Sequence, residues 1–154
     1  MPPTDYELQP LEASKADRLR TLNAHIYVAD SKPGYPCRQC LCDAEVGEEL
    51  VLVSYDPFDI DSPYRSTSPI FIHRVGCAPG ELTSLPVQLT TRQLSVRAFD
   101  VGAMMTDAAV IDGADLDATL RRMFTDDLVM VVHVHNAVRG CWATNVVRKT
   151  SSSS

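Results

Sequence analysis

Two short segments, far apart in the chain, each carry half of a metal-binding pattern, and a fold that satisfies both has little freedom left. Cys37-Arg38-Gln39-Cys40 has the C-x2-C spacing that sets two sulfurs on one tight knuckle. His73-Arg74-Val75-Gly76-Cys77 has the spacing at which a strand end and its following turn supply two more ligands. Zinc favours four such donors in a tetrahedron, with thiolate and imidazole the preferred pair. The intervening stretch is longer than in a compact zinc finger, so a metal here would staple a long loop to a sheet. Gly76 and Pro79-Gly80 would let the backbone bend around Cys77.

Two other readings of these residues stay open. Cys40, Cys42 and Cys77 could be small buried hydrophobes, as free cysteines commonly are. A redox CxxC is the third reading, but no helix N-terminus follows a strand there to lower the thiol pKa. Cys42 could replace Cys40 as a ligand or pack on the opposite side.

Charge and compartment narrow the choice. The start of the chain lacks a basic segment and an apolar stretch, so it carries no secretory pattern. The longest apolar run, Leu128 to Val132, is far short of the roughly 20 residues a spanning helix needs. The expectation is a cytosolic protein without a membrane partner, where neighbouring cysteines are ligands or nucleophiles rather than disulfides. An odd count of five cysteines agrees. A net charge of -6, with no basic cluster beyond Arg121-Arg122 or Arg148-Lys149, argues against nucleic acid. Phosphate-backbone binding needs many cations on one face.

The 154 residues suffice for one domain with a real core. Residues 1–11 read as a proline-rich N-terminal arm, 12–149 as a single domain, and 150–154 as a disordered tail. Helical spacing of Ala13, Ala16, Leu19 and Leu22 predicts a short helix over 12–23. A second helix follows Asp115, a candidate N-cap, with Leu116, Leu120, Met123 and Phe124 on one face. Strands are expected at 25–29, 50–55, 69–73, 94–101, 104–111, 128–135 and 140–148, with a hairpin turn at Gly102-Ala103. The class is α+β: a curved, mostly antiparallel sheet with two short helices against one face.

A second constellation lies near the C-terminus. On a strand, His133 and His135 point the same way, beside Asn136, with Cys141 across the next turn. Such a group could be a catalytic or binding pocket at a sheet edge, since imidazole serves as acid or base near neutral pH. It could equally be two hydrogen-bonded structural histidines and a core cysteine, or a second metal site. A Cys141–histidine nucleophile pair has no third orienting residue that the sequence can name.

Several stretches together resemble a known bacterial family, domain of unknown function 1203. They are Pro33-Gly34-Tyr35-Pro36-Cys37-Arg38, Gly47-Glu48, Ser62-Pro63-Tyr64-Arg65, Pro69-Ile70-Phe71, Leu94 to Asp100, Asp112-Gly113, and His133 to Ala137 with Gly140-Cys141. The resemblance implies a small cytosolic bacterial protein with no assigned activity. It also implies a shared pattern of Cys37, Arg38, Tyr64, Arg65, Arg97, His133, His135, Asn136 and Cys141. Cys40, His73 and Cys77 fall outside that pattern, which places the complete zinc set in one branch and leaves Cys37 between two roles.

The expected site therefore has three parts. Zinc is held by Cys37, Cys40, His73 and Cys77. Arg38, Tyr64, Arg65 and Arg97 would suit a small anionic metabolite, because guanidinium pairs bidentately with carboxylate or phosphate, but the arginines could equally be surface or carboxylate-paired side chains. His133, His135, Asn136 and Cys141 are the candidates for any catalysis. The sequence leaves turnover of that metabolite open against a non-catalytic adaptor or sensor whose metal only stabilises it.

Overall fold

The computed structural model describes residues 6–22, 25–58, 60–78 and 84–149. The first five residues of the arm, the tail 150–154 and Pro79-Gly80 lie outside the described residues. In chain order the elements are β1 (Tyr6–Gln9), α1 (Ala13–Arg20), β2 (His25–Val28), β3 (Glu49–Tyr55), β4 (Ser68–His73) and α2 (Val87–Thr90). Then come β5 (Gln93–Phe99), β6 (Met105–Asp112), α3 (Leu116–Met123), β7 (Val131–Asn136) and β8 (Trp142–Arg148). No helix among the described residues is long and apolar enough to cross a membrane.

The α+β class holds, with every pairing between named strands antiparallel and with short helices. The strands divide into two sheets, a five-stranded one ordered β1-β8-β7-β5-β6 and a three-stranded one ordered β2-β3-β4. The division has a local cause. The outer edge of β4 is taken by the knuckle: Cys37 bridges Phe71 in parallel, and the Arg38 N–H donates to the Phe71 carbonyl at 2.9 Å. An edge covered in this way cannot accept another strand.

The helix over 116–123 buries the face its spacing predicts. Leu116, Leu120, Met123 and Phe124 pack on Leu94, Val96, Ala98, Val132, Val134 and Val146 to form an aliphatic core on one side of the five-stranded sheet. Asp115 sits at the N-cap position without a side-chain capping bond. A second, smaller core joins Leu50, Val53, Ile70 and Ile72 to Ala16 of α1, Cys37, Cys40 and Trp142 of β8. Trp142 ties the sheets together: its ring lies 4.8 Å from that of Tyr55, and its backbone N–H donates to Ser68 Oγ at 3.1 Å.

Within the arm, β1 adds to the edge of β8, with Tyr6 opposite Arg148. Gly113, just past β6, passes so close to the turn after α2 that a Cβ would fall 2.0 Å from the Leu89 carbonyl oxygen. Its N–H donates to the Arg92 carbonyl at 2.7 Å, which fixes Arg92 and Gln93 at the start of β5.

Candidate metal centre and adjoining cleft

The Cys37–Cys42 turn is closed by its own backbone. Cys37 N–H donates to the Cys42 carbonyl at 3.0 Å, and Leu41 N–H donates to the Cys37 carbonyl at 3.1 Å. Leu41 takes φ of 62°, a left-handed conformation that costs a non-glycine residue about 1–2 kcal/mol. The turn brings Cys37 and Cys40 to the end of β4, where His73 and Cys77 wait. The four donor atoms all lie within 4.8 Å of one another, a group that could hold a metal ion. The Cys37 and Cys77 sulfurs are 3.6 Å apart, and Cys40 Sγ is 3.6 Å from His73 Nδ1. Cys42 is exposed and outside the group.

The surroundings orient these donors. His73 Nε2 faces Glu48 Oε1 at 3.1 Å, which places the ring proton there and leaves the Nδ1 lone pair toward the sulfurs. The backbone N–H of Glu45 first, and His73 second, hold the Glu48 carboxyl below its usual range. Gln39, buried between the two cysteines, accepts at Oε1 from Arg20 Nη2 and lies 3.6 Å from the Cys77 sulfur. Arg20 Nε donates to the His73 carbonyl at 2.8 Å, so α1 sets a cation beside three thiols. Hydrogen bonds from Cys40 and Cys77, with one from His73 N–H at 3.3 Å, hold the Cys37 thiol far below its ordinary value. Donating to it raises Cys40 and pushes Cys77 up to about 11.

The two residues inside the CxxC point apart. Gln39 turns toward the cluster, and Arg38 turns to the floor of a cleft of about 660 Å³. Tyr27, Tyr35, Phe71, Leu52 and Ile70 form one wall, with Asn136, Val138, Arg139 and Cys141 of the β7–β8 turn on the other. Arg38 is only 2% exposed. Its Nη1 donates to Gln88 Oε1 at 2.8 Å, and no carboxylate among the described residues pairs with it. Burial first, and the neighbouring Arg92 second, lower its pKa to about 10. Arg92 itself pairs with Asp43 at 3.1 Å. The Asn136 side-chain oxygen is buried with no hydrogen-bond partner among the described residues.

Of the residues singled out from sequence, Arg38, Asn136 and Cys141 meet at this cleft. The two histidines share a face of β7 as expected but lie behind it, between the sheets. His133 is packed against the rings of Phe58 and Phe99 at 4.8 and 4.7 Å. His135 Nδ1 donates to the Gly140 carbonyl at 2.9 Å, and burial lowers its pKa to about 4. Arg97 stands opposite His133 in the register and donates to Ser95 Oγ at 3.1 Å. Tyr64 and Arg65 belong to the loop before β4, with Arg65 paired to Asp56 at 2.5 Å and Tyr64 against Phe99. Neither lines the cleft. Sequence reasoning missed Arg92, Arg139 and the tyrosine wall in the cleft, and Arg20, Gln39 and Glu48 at the cluster. Gln39 could have been flagged by its position inside the CxxC, and Tyr35 and Glu48 by the stretches that carry the family resemblance.

A family model described as protein of unknown function (DUF1203) matches residues 34–148. No curated protein and no solved structure matches the chain.

Proposed function

The chain belongs to the DUF1203 family, whose description assigns no activity, and from its own side chains we propose that it is a zinc-stapled binding protein for a small anionic ligand. The observation that carries the metal is the donor set. Zinc–sulfur bonds of about 2.3 Å in a tetrahedron set ligand atoms roughly 3.8 Å apart. The Cys37–Cys77 sulfur pair and the Cys40 sulfur–His73 Nδ1 pair, each 3.6 Å apart, are close to that, and all four donors lie within 4.8 Å of one another. Three thiolates and one imidazole around Zn2+ carry a net negative charge, which Arg20 beside the cluster offsets. The role is structural, because four protein ligands leave no open position for substrate. Such a site needs thiols kept reduced, as the cytosol provides.

Anion binding is supported by Arg38. A buried guanidinium without a carboxylate is costly unless something anionic completes it. Because Arg38 lies between two of the metal ligands, zinc would also set the floor of the cleft. With His135 neutral and both imidazoles behind the cleft wall, the arrangement favours binding over acid–base turnover.

Elemental analysis of protein purified without chelator or a metal-affinity step tests the zinc. About one equivalent is expected, falling to near zero in Cys40→Ser. Less than about one-tenth of an equivalent in the wild type would end the four-ligand assignment.

A further inference from the structure

We infer that the cleft takes an amphipathic monocarboxylate, a single carboxylate on a ring-sized apolar body; this rests on the anion-binding reading above. Charge sets the valence of the head group. Arg92 is neutralised by Asp43 at 3.1 Å, so Arg38 is the buried cation of the cleft without an anionic partner among the described residues. Arg139 also lines the cleft but is exposed, where water screens its charge, so the one buried charge left to neutralise is that of Arg38, and a monoanion suffices for it.

The donor geometry selects the head group further. Gln88 engages Nη1, which leaves the Nε–Nη2 edge of the guanidinium without a hydrogen bond among the described residues. That edge offers two parallel N–H groups, the fork that the two oxygens of a carboxylate match. The wall selects the body. Tyr27 and Tyr35 meet Phe71 edge-on, with ring centroids 5.7 and 5.3 Å away, and give a continuous aromatic surface. A cleft of about 660 Å³ has room for far more than an inorganic ion. A bare phosphate would leave the aromatic surface in water, whereas an apolar body would cover it.

Calorimetric titration of the metal-loaded full chain with 3-phenylpropionate, its neutral amide 3-phenylpropanamide, and inorganic phosphate tests this. The carboxylate should bind at least about tenfold more tightly than the amide. That preference should vanish in Arg38→Met with metal content and melting temperature retained. Arg38→Lys, which keeps the charge and loses the fork, should weaken binding at least about tenfold and serves if the methionine variant does not fold. Equal binding of acid and amide, or a preference that survives Arg38→Met, overturns the proposal. Phosphate binding through Arg38 without the carboxylate overturns the ligand class and leaves the anion cleft standing. If none of the three probes binds, both readings fall.

Discussion

The two sheets are held together by different means. On the five-stranded sheet, thirteen buried residues from Leu89 to Val146 make an almost wholly aliphatic core under α3. The three-stranded sheet has a core in which Cys37, Cys40, Ala16, Ala29 and Ala44 stand beside five larger aliphatics from β3 and β4. Its strand β2 is exposed along its whole length. Apolar burial stabilises in proportion to area, at about 25 cal/mol per Å², so small side chains contribute less. Two of the four metal-ligand candidates, Cys37 and Cys40, are buried in that smaller core, with Cys77 packed against it. One half is closed by packing, and on the proposed reading the other half is closed by a bond network.

That contrast can be broken from the packed side first. Leu120 is fully buried under the five-stranded sheet, so Leu120→Ala should cost about 2–5 kcal/mol. The loss, read by chemical denaturation, should be the same with zinc bound or chelated. A loss that depends on metal would mean that the two halves are not separate in their support.

His135 probes the seam between the sheets, and its effect is smaller. Its pKa falls from 6.5 to about 4 on folding because burial disfavours the cation. A depressed pKa means the folded state refuses a proton that the unfolded chain accepts. Its contribution is therefore complete above pH 6.5 and lost as pH falls toward 4. The full span is worth up to about 3 kcal/mol. His135→Asn should flatten this acid limb relative to wild type in denaturation series at matched pH. An unchanged limb would show that the imidazole is not held neutral in the fold.

How much of this could be read from sequence also differs between the halves. The face of α3 was legible because Leu116, Leu120, Met123 and Phe124 recur with the helical period, and the period itself dictates burial. The metal group was legible because thiolate and imidazole spacing is local chemistry. The partition into two sheets was not, since alternation along a strand shows which residues share a face and not which strand lies beside it. Covering of the β4 edge by Cys37 depends on the loop returning, and no local pattern encodes that. Strand β1 was hidden in a proline-rich arm because four residues, half of them exposed, carry little periodic signal. The cleft shows the same limit. Arg38 could be picked out beside Cys37, but Arg92, Arg139 and Tyr27 come from separate elements and converge only in three dimensions.

The central claim is that a metal at Cys37, Cys40, His73 and Cys77 holds the smaller sheet and, through Arg38, the floor of the cleft. Hydrogen exchange with mass-spectrometric readout, on zinc-loaded and chelated protein, tests it most directly. Removal of the metal should raise exchange in residues 36–42 and across β3 and β4, and leave β5, β7 and β8 protected. Protection that is unchanged in the knuckle and in β4, or lost equally in both sheets, would contradict it.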